Sequence, residues 1–120
     1  MKFLWVTLRV NDLERSLDFY QNIVGLETDS RFNAGPTTEI AFLGKGETKV
    51  ELLCDKSQTN MSPKEGASIG FEVENLADAL KLVKEKGYDL LGDPVVANEH
   101  LSFFFIKDPD GYTVQFVENK

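Results

Sequence analysis

Two stretches of this chain carry the same alternation of apolar and polar positions leading into the same helical period. Residues 10–17 read Val-Asn-Asp-Leu-Glu-Arg-Ser-Leu, and residues 73–80 read Val-Glu-Asn-Leu-Ala-Asp-Ala-Leu, an offset of 63. In the first, Leu13, Leu17, Tyr20 and Val24 fall on one stripe, with Ser16, Phe19 and Ile23 flanking it. In the second the stripe is Leu76, Leu80 and Val83, with Ala79 beside it. Spacings of three and four make one buried helix face. Asn11 before Glu14, and Asn75 before Asp78, have the spacing of a capping box, which predicts both asparagines as N-caps. Gly25 and Gly87 are placed to end the helices in a left-handed cap.

The match continues downstream. Val50-Glu51-Leu52-Leu53 corresponds to Val114-Gln115-Phe116-Val117 at an offset of 64. Each follows an apolar strand and a turn: residues 40–43 with Gly44-Lys45-Gly46-Glu47, and residues 101–106 with Asp108-Pro109-Asp110-Gly111. Both read as hairpins. Residues 27–32 and 90–96 supply the weakest strands. Each half is therefore strand, helix and three strands. The expected organisation is one domain over 1–120, with a first module over about 1–55, a polar linker over about 56–66 and a second module over about 67–120. A half of this size does not readily bury its own sheet, so the two are expected to fold as one unit.

Composition narrows the function classes. Hydrophobic residues make up 42% and charged residues 28% of the 120, which are globular values. The net charge of −7 argues against nucleic acid and favours a neutral or cationic ligand. No apolar run reaches the length of a membrane span, and Arg9 breaks the N-terminal one. The single cysteine, Cys54, allows no disulfide within the chain and reads as a buried small hydrophobe. A cytoplasmic protein is expected.

A strand-helix-three-strand module used twice resembles the vicinal-oxygen-chelate superfamily, which includes glyoxalase I, bleomycin-resistance proteins, methylmalonyl-CoA epimerase and extradiol dioxygenases. The run from Leu8 to Tyr20, followed by Gly25, is similar to the glyoxalase I opening, and Asp108-Pro109-Asp110-Gly111-Tyr112 resembles the family's penultimate turn. The resemblance covers nearly the whole chain. It implies an α+β fold of two tandem βαβββ modules forming a U-shaped mixed sheet around a pocket. It also implies a homodimer.

The resemblance implies four metal-ligand positions, which map onto Trp5, Glu51, Ser68 and Gln115. The internal repeat independently pairs Trp5 with Ser68 and Glu51 with Gln115. Bacterial glyoxalase I has histidine at both first-strand positions. Here an indole offers no lone pair to a metal, and a serine hydroxyl is a poor zinc or nickel ligand. Only Glu51 is a good ligand, so no metal residue and no cofactor is expected. His100, the only histidine, lies just before a strand and reads as a turn residue. Gln115 stands where the family's proton-moving glutamate would be, and an amide is no general base.

Strand alternation puts Trp5, Thr7 and Arg9 on one face, with Glu51 and Leu53, Ser68, Gly70 and Glu72, and Gln115 and Val117 on the matching faces. The expected ligand-binding set is Trp5, Thr7, Arg9, Glu51, Ser68 and Gln115. Trp5 reads either as core or as a stacking platform, and Arg9 either as a ligand contact or as a carboxylate's partner. Phe103, Phe104 and Phe105 are consecutive, so they divide between two faces that the sequence does not assign. The expected function is binding of a small amphipathic molecule without a metal, in the manner of bleomycin resistance. The alternative is a glyoxalase I-like lyase or isomerase with Glu51 as the catalytic base and an unconventional or absent metal.

Overall fold

The computed structural model describes residues 1–63 and 65–120; Lys64, within the expected linker, lies outside the described residues. The described chain forms two compact units, Met1–Pro63 and Lys64–Lys120.

The first unit runs β1 (Trp5–Arg9), α1 (Leu13–Asn22), β2 (Thr28–Asn33), β3 (Thr38–Leu43) and β4 (Lys49–Asp55). Its sheet has the order β1-β4-β3-β2, with β1 parallel to β4 and the other pairs antiparallel. The second unit runs β5 (Ser68–Glu72), α2 (Leu76–Glu85), β6 (Val95–Val96), β7 (Leu101–Lys107) and β8 (Thr113–Asn119). Its order, β5-β8-β7-β6, and its mixture of pairings repeat those of the first. The α+β architecture of two βαβββ modules is as the sequence predicts.

In the first unit α1 packs against β4. Leu8 and Val10 of β1 and its end, Ala41 and Leu43 of β3, and Val50, Leu52 and Cys54 of β4 are buried, as are Leu13, Ser16, Leu17, Phe19, Tyr20 and Ile23. These strand residues share one parity, as a half-buried sheet requires. In the second unit the buried face of α2 is thinner than its stripe predicts. Val83 is buried, while Leu76, Ala79 and Leu80 are half-buried.

Three local expectations change. Asp12, not Asn11, caps α1: its backbone is extended and its carboxylate accepts from Arg15 N at 3.1 Å. Asn11 instead exchanges two 2.9 Å hydrogen bonds with the backbone of Met61. Asn75 caps α2 as expected, accepting from Asp78 N at 3.0 Å. β2 lies one residue later than 27–32. The 90–96 segment keeps only β6 and an isolated bridge from Leu90 to Ile106. Between these, Gly92 takes a φ of +77° and Pro94 offers no N–H, so a continuous ladder cannot form.

Gly25 and Gly87 both have φ of +86°, the left-handed conformation expected where the helices end. In the β7–β8 turn the buried Asp108 carboxylate accepts the N–H groups of Asp110, Gly111 and Tyr112, each at 2.9 Å. That explains why this segment forms so defined a hairpin.

Candidate functional site

The face of the first sheet turned away from α1 gathers polar and aromatic groups in one row. The parallel register sets Thr7 opposite Glu51, and the hairpin register sets Phe42 opposite Glu51. The Thr7 hydroxyl donates to Glu51 Oε1. Glu51 is only 8% exposed, although its strand parity turns it away from the helix core. Beside it Trp5 meets Phe42 edge to face, with centroids 5.1 Å apart, and Phe42 stacks on Phe32 at 6.1 Å. The three rings form a continuous strip, and Trp5 and Phe32 remain nearly half exposed. A recess of about 260 Å³ adjoins it, with Leu4, Trp5, Ser30 and Phe42 in its wall.

The second sheet repeats this row with different chemistry. Gly70 and Phe105 are the register partners of Gln115, as Thr7 and Phe42 are of Glu51. A Cβ on residue 70 would stand 3.2 Å from Gln115 Oε1, so the absent side chain leaves room for the amide. Phe103 and Phe105 meet edge to face at 5.6 Å on this side of the sheet. Phe104 lies on the other, buried and stacked on Phe116 at 5.2 Å.

The expected site residues therefore divide between the units. Trp5, Thr7, Arg9 and Glu51 share one face of the first sheet, where Thr7 donates a hydrogen bond to Glu51. The charge of Arg9 helps hold the Asp55 carboxyl below its ordinary range, after the larger effects of the Ser57 hydroxyl and N–H. Ser68 is exposed at the start of β5, and Gln115 is half-buried on β8. Phe42 and Phe32 complete the aromatic strip but were not legible as site residues. Only the hairpin register, fixed by the turn after Leu43, puts Phe42 in the Glu51 row.

A second recess of about 370 Å³ lies on the helix side, near Asp12, Glu14, Arg31, Glu39 and Cys54. Arg31 bridges Glu14 of α1 and Glu39 of β3, and these contacts raise its pKa further. This is a helix-to-sheet clasp. Cys54 is buried, and desolvation pushes its thiol pKa up, which suits packing rather than nucleophilic work.

Trp5, Glu51, Ser68 and Gln115, the positions that the family resemblance assigns to metal ligands, do not fit a transition metal. They offer an indole, a hydroxyl, an amide and one carboxylate. Zinc and its neighbours require imidazole, thiolate or carboxylate donors, three of them at a catalytic site. Among the described residues no three His, Cys, Asp or Glu side chains gather in a way that could hold a metal. His100 is exposed, with its Nε2 3.3 Å from Glu99.

Comparison with known proteins agrees with the fold. The chain is 33% identical to lactoylglutathione lyase of Neisseria meningitidis over 136 residues, spanning all of this chain and 92% of the relative. It is 30% identical to lactoylglutathione lyase of Escherichia coli O157:H7 over 132 residues, spanning all of this chain and 94% of that one. Among solved structures, trypanothione-dependent glyoxalase I of Leishmania major superposes with a TM-score of 0.86 at 22% identity, covering 98% of this chain and 86% of that one. A glyoxalase I variant of Zea mays gives the same score and identity over 97% of this chain and 44% of its own. The profile of the Glyoxalase/Bleomycin resistance protein/Dioxygenase superfamily matches residues 2–116, and this chain belongs to that superfamily.

Proposed function

We propose that this chain binds a small amphipathic molecule without a transition metal, as a bleomycin-resistance-like sequestering protein does. The observation that carries this reading is an indole at residue 5 and a hydroxyl at residue 68, two positions that the family resemblance assigns to metal donors. Trp5, Phe42 and Phe32 supply apolar contact, and Glu51 supplies orientation, the mixture expected of a small-molecule site. Thr7, Arg9, Ser68 and Gln115 are read as further ligand contacts. The reading takes residues 1–120 as one domain, working as a cytoplasmic homodimer. Among the described residues no helix is long and apolar enough to cross a membrane.

A second reading is favoured by the relatives, which are named lactoylglutathione lyase. In it Glu51 acts as the base of a lyase or isomerase. The row contains a carboxylate to take a proton. The test is lactoylglutathione formation from glutathione and methylglyoxal, with and without added nickel or zinc. Turnover at the uncatalysed rate supports binding. Turnover well above it, abolished by Glu51→Gln, establishes the lyase.

A further inference from the structure

We infer that the Thr7–Glu51 pair makes this site selective for a cationic nitrogen carried on a flat apolar ring, with Thr7 as the specificity-determining partner. This rests on the reading that the Trp5 face of the first sheet binds a ligand. A carboxylate only accepts hydrogen bonds, and a threonine hydroxyl has one hydrogen to give. Here that hydrogen goes to Glu51 Oε1. Thr7 therefore occupies one oxygen and leaves the other as an acceptor on a group only 8% exposed. A charged donor makes the strongest hydrogen bond to a carboxylate so placed. Its register neighbour across the hairpin, Phe42, has none to offer.

The surroundings favour the same class. Ring faces attract cations, and Trp5, Phe42 and Phe32 form a strip along this row. The adjoining recess of about 260 Å³ lies below the usual range for drug-sized molecules, so it suits a single ring system. The charged groups at its wall are matched in sign, Lys49 standing 3.9 Å from Asp29 and Lys2 3.2 Å from Glu47, so charge selection falls to Glu51. The counterpart row in the second sheet shows what Thr7 adds: Gly70 and Gln115 present an amide that both donates and accepts, and so does not select charge.

The test is titration of the full chain with benzamidine, benzamide and benzoate, three probes of one shape and different charge. It is followed by fluorescence of Trp5, the only tryptophan. Benzamidine is expected to bind at least about tenfold more tightly than benzoate, as one charge-assisted contact warrants. Glu51→Gln should erase the preference, Thr7→Val should weaken it, and Thr7→Ser should keep it, with melting curves checking the fold of each. Equal binding of all three by wild-type protein would overturn charge selection while leaving the binding site itself standing. Preference for benzoate would do the same. Saturable binding of none would overturn the selection and count against the site as well.

Discussion

Cys54 and Glu118 hold the same place in the two halves of the chain, each on the last strand of its unit beside the start of the helix. Glu118 Oε1 accepts the N–H of Leu76, the first residue of α2, at 3.0 Å, whereas the Cys54 thiol donates to Asn11 O at 3.7 Å. A carboxylate at a helix N-terminus gains from both the hydrogen bond and the helix dipole, whereas a neutral thiol is a weak donor. Glu118→Ala is therefore expected to destabilise the protein more than Cys54→Ala, with urea unfolding of both variants as the check. Cys54, buried and with a raised pKa, should react with a thiol reagent only as the protein opens, so labelling should accelerate sharply in denaturant.

The acid side of the stability profile follows from three carboxylates. Glu39 is held low by Arg31, Asp55 by the Ser57 hydroxyl and N–H, and Glu118 by the Leu76 N–H. A carboxylate with a depressed folded pKa contributes stability above its unfolded pKa and loses it as pH falls through the folded one. Stability should hold at neutral pH and begin to decline near 4.5, the ordinary value for Glu39 and Glu118. Glu118→Gln should flatten that decline in thermal melts taken from pH 7 to 3.

Asp108 organises the last hairpin through three backbone N–H groups while buried. Asp108→Ala leaves those donors without their acceptor, at a cost of about 2–3 kcal/mol. Urea titration should show a lower midpoint with the slope unchanged, because the folded and unfolded surfaces stay nearly the same.

The three consecutive phenylalanines should separate cleanly. Phe104→Ala removes a fully buried ring stacked on Phe116 and is expected to cost about 3–5 kcal/mol. Phe105→Ala removes a half-buried ring on the opposite face and should cost far less. Comparable losses from the two would contradict the strand orientation described here.

How much of this was legible beforehand depended on the range of the interactions involved. The repeat, both helices and both hairpins follow from local period and turn chemistry, and they are present. The capping-box spacing points to Asn11, one residue before the true α1 cap, because Asn11 and Asp12 are both good caps. The contact that decides between them, Asn11 with Met61, spans 50 residues. The hydrophobic content of residues 90–96 predicts a longer strand than Gly92 and Pro94 allow. The faces of Phe103 to Phe105 could not be read, since alternation gives parity but not which parity is inward. The hairpin register resolved them by pairing Phe104 with Phe116. The Thr7–Glu51 bond likewise needs the parallel register between strands 44 residues apart.

The proposal that Trp5, Glu51, Ser68 and Gln115 hold no metal is tested most directly by elemental analysis of the protein after incubation with nickel, zinc, manganese or iron and desalting. The account predicts well under one metal per chain in every case, and no change when Glu51 is replaced by Ala. Retention of about one metal per chain, lost in Glu51→Ala, would contradict it, because a catalytic metal of this kind needs about three protein donors.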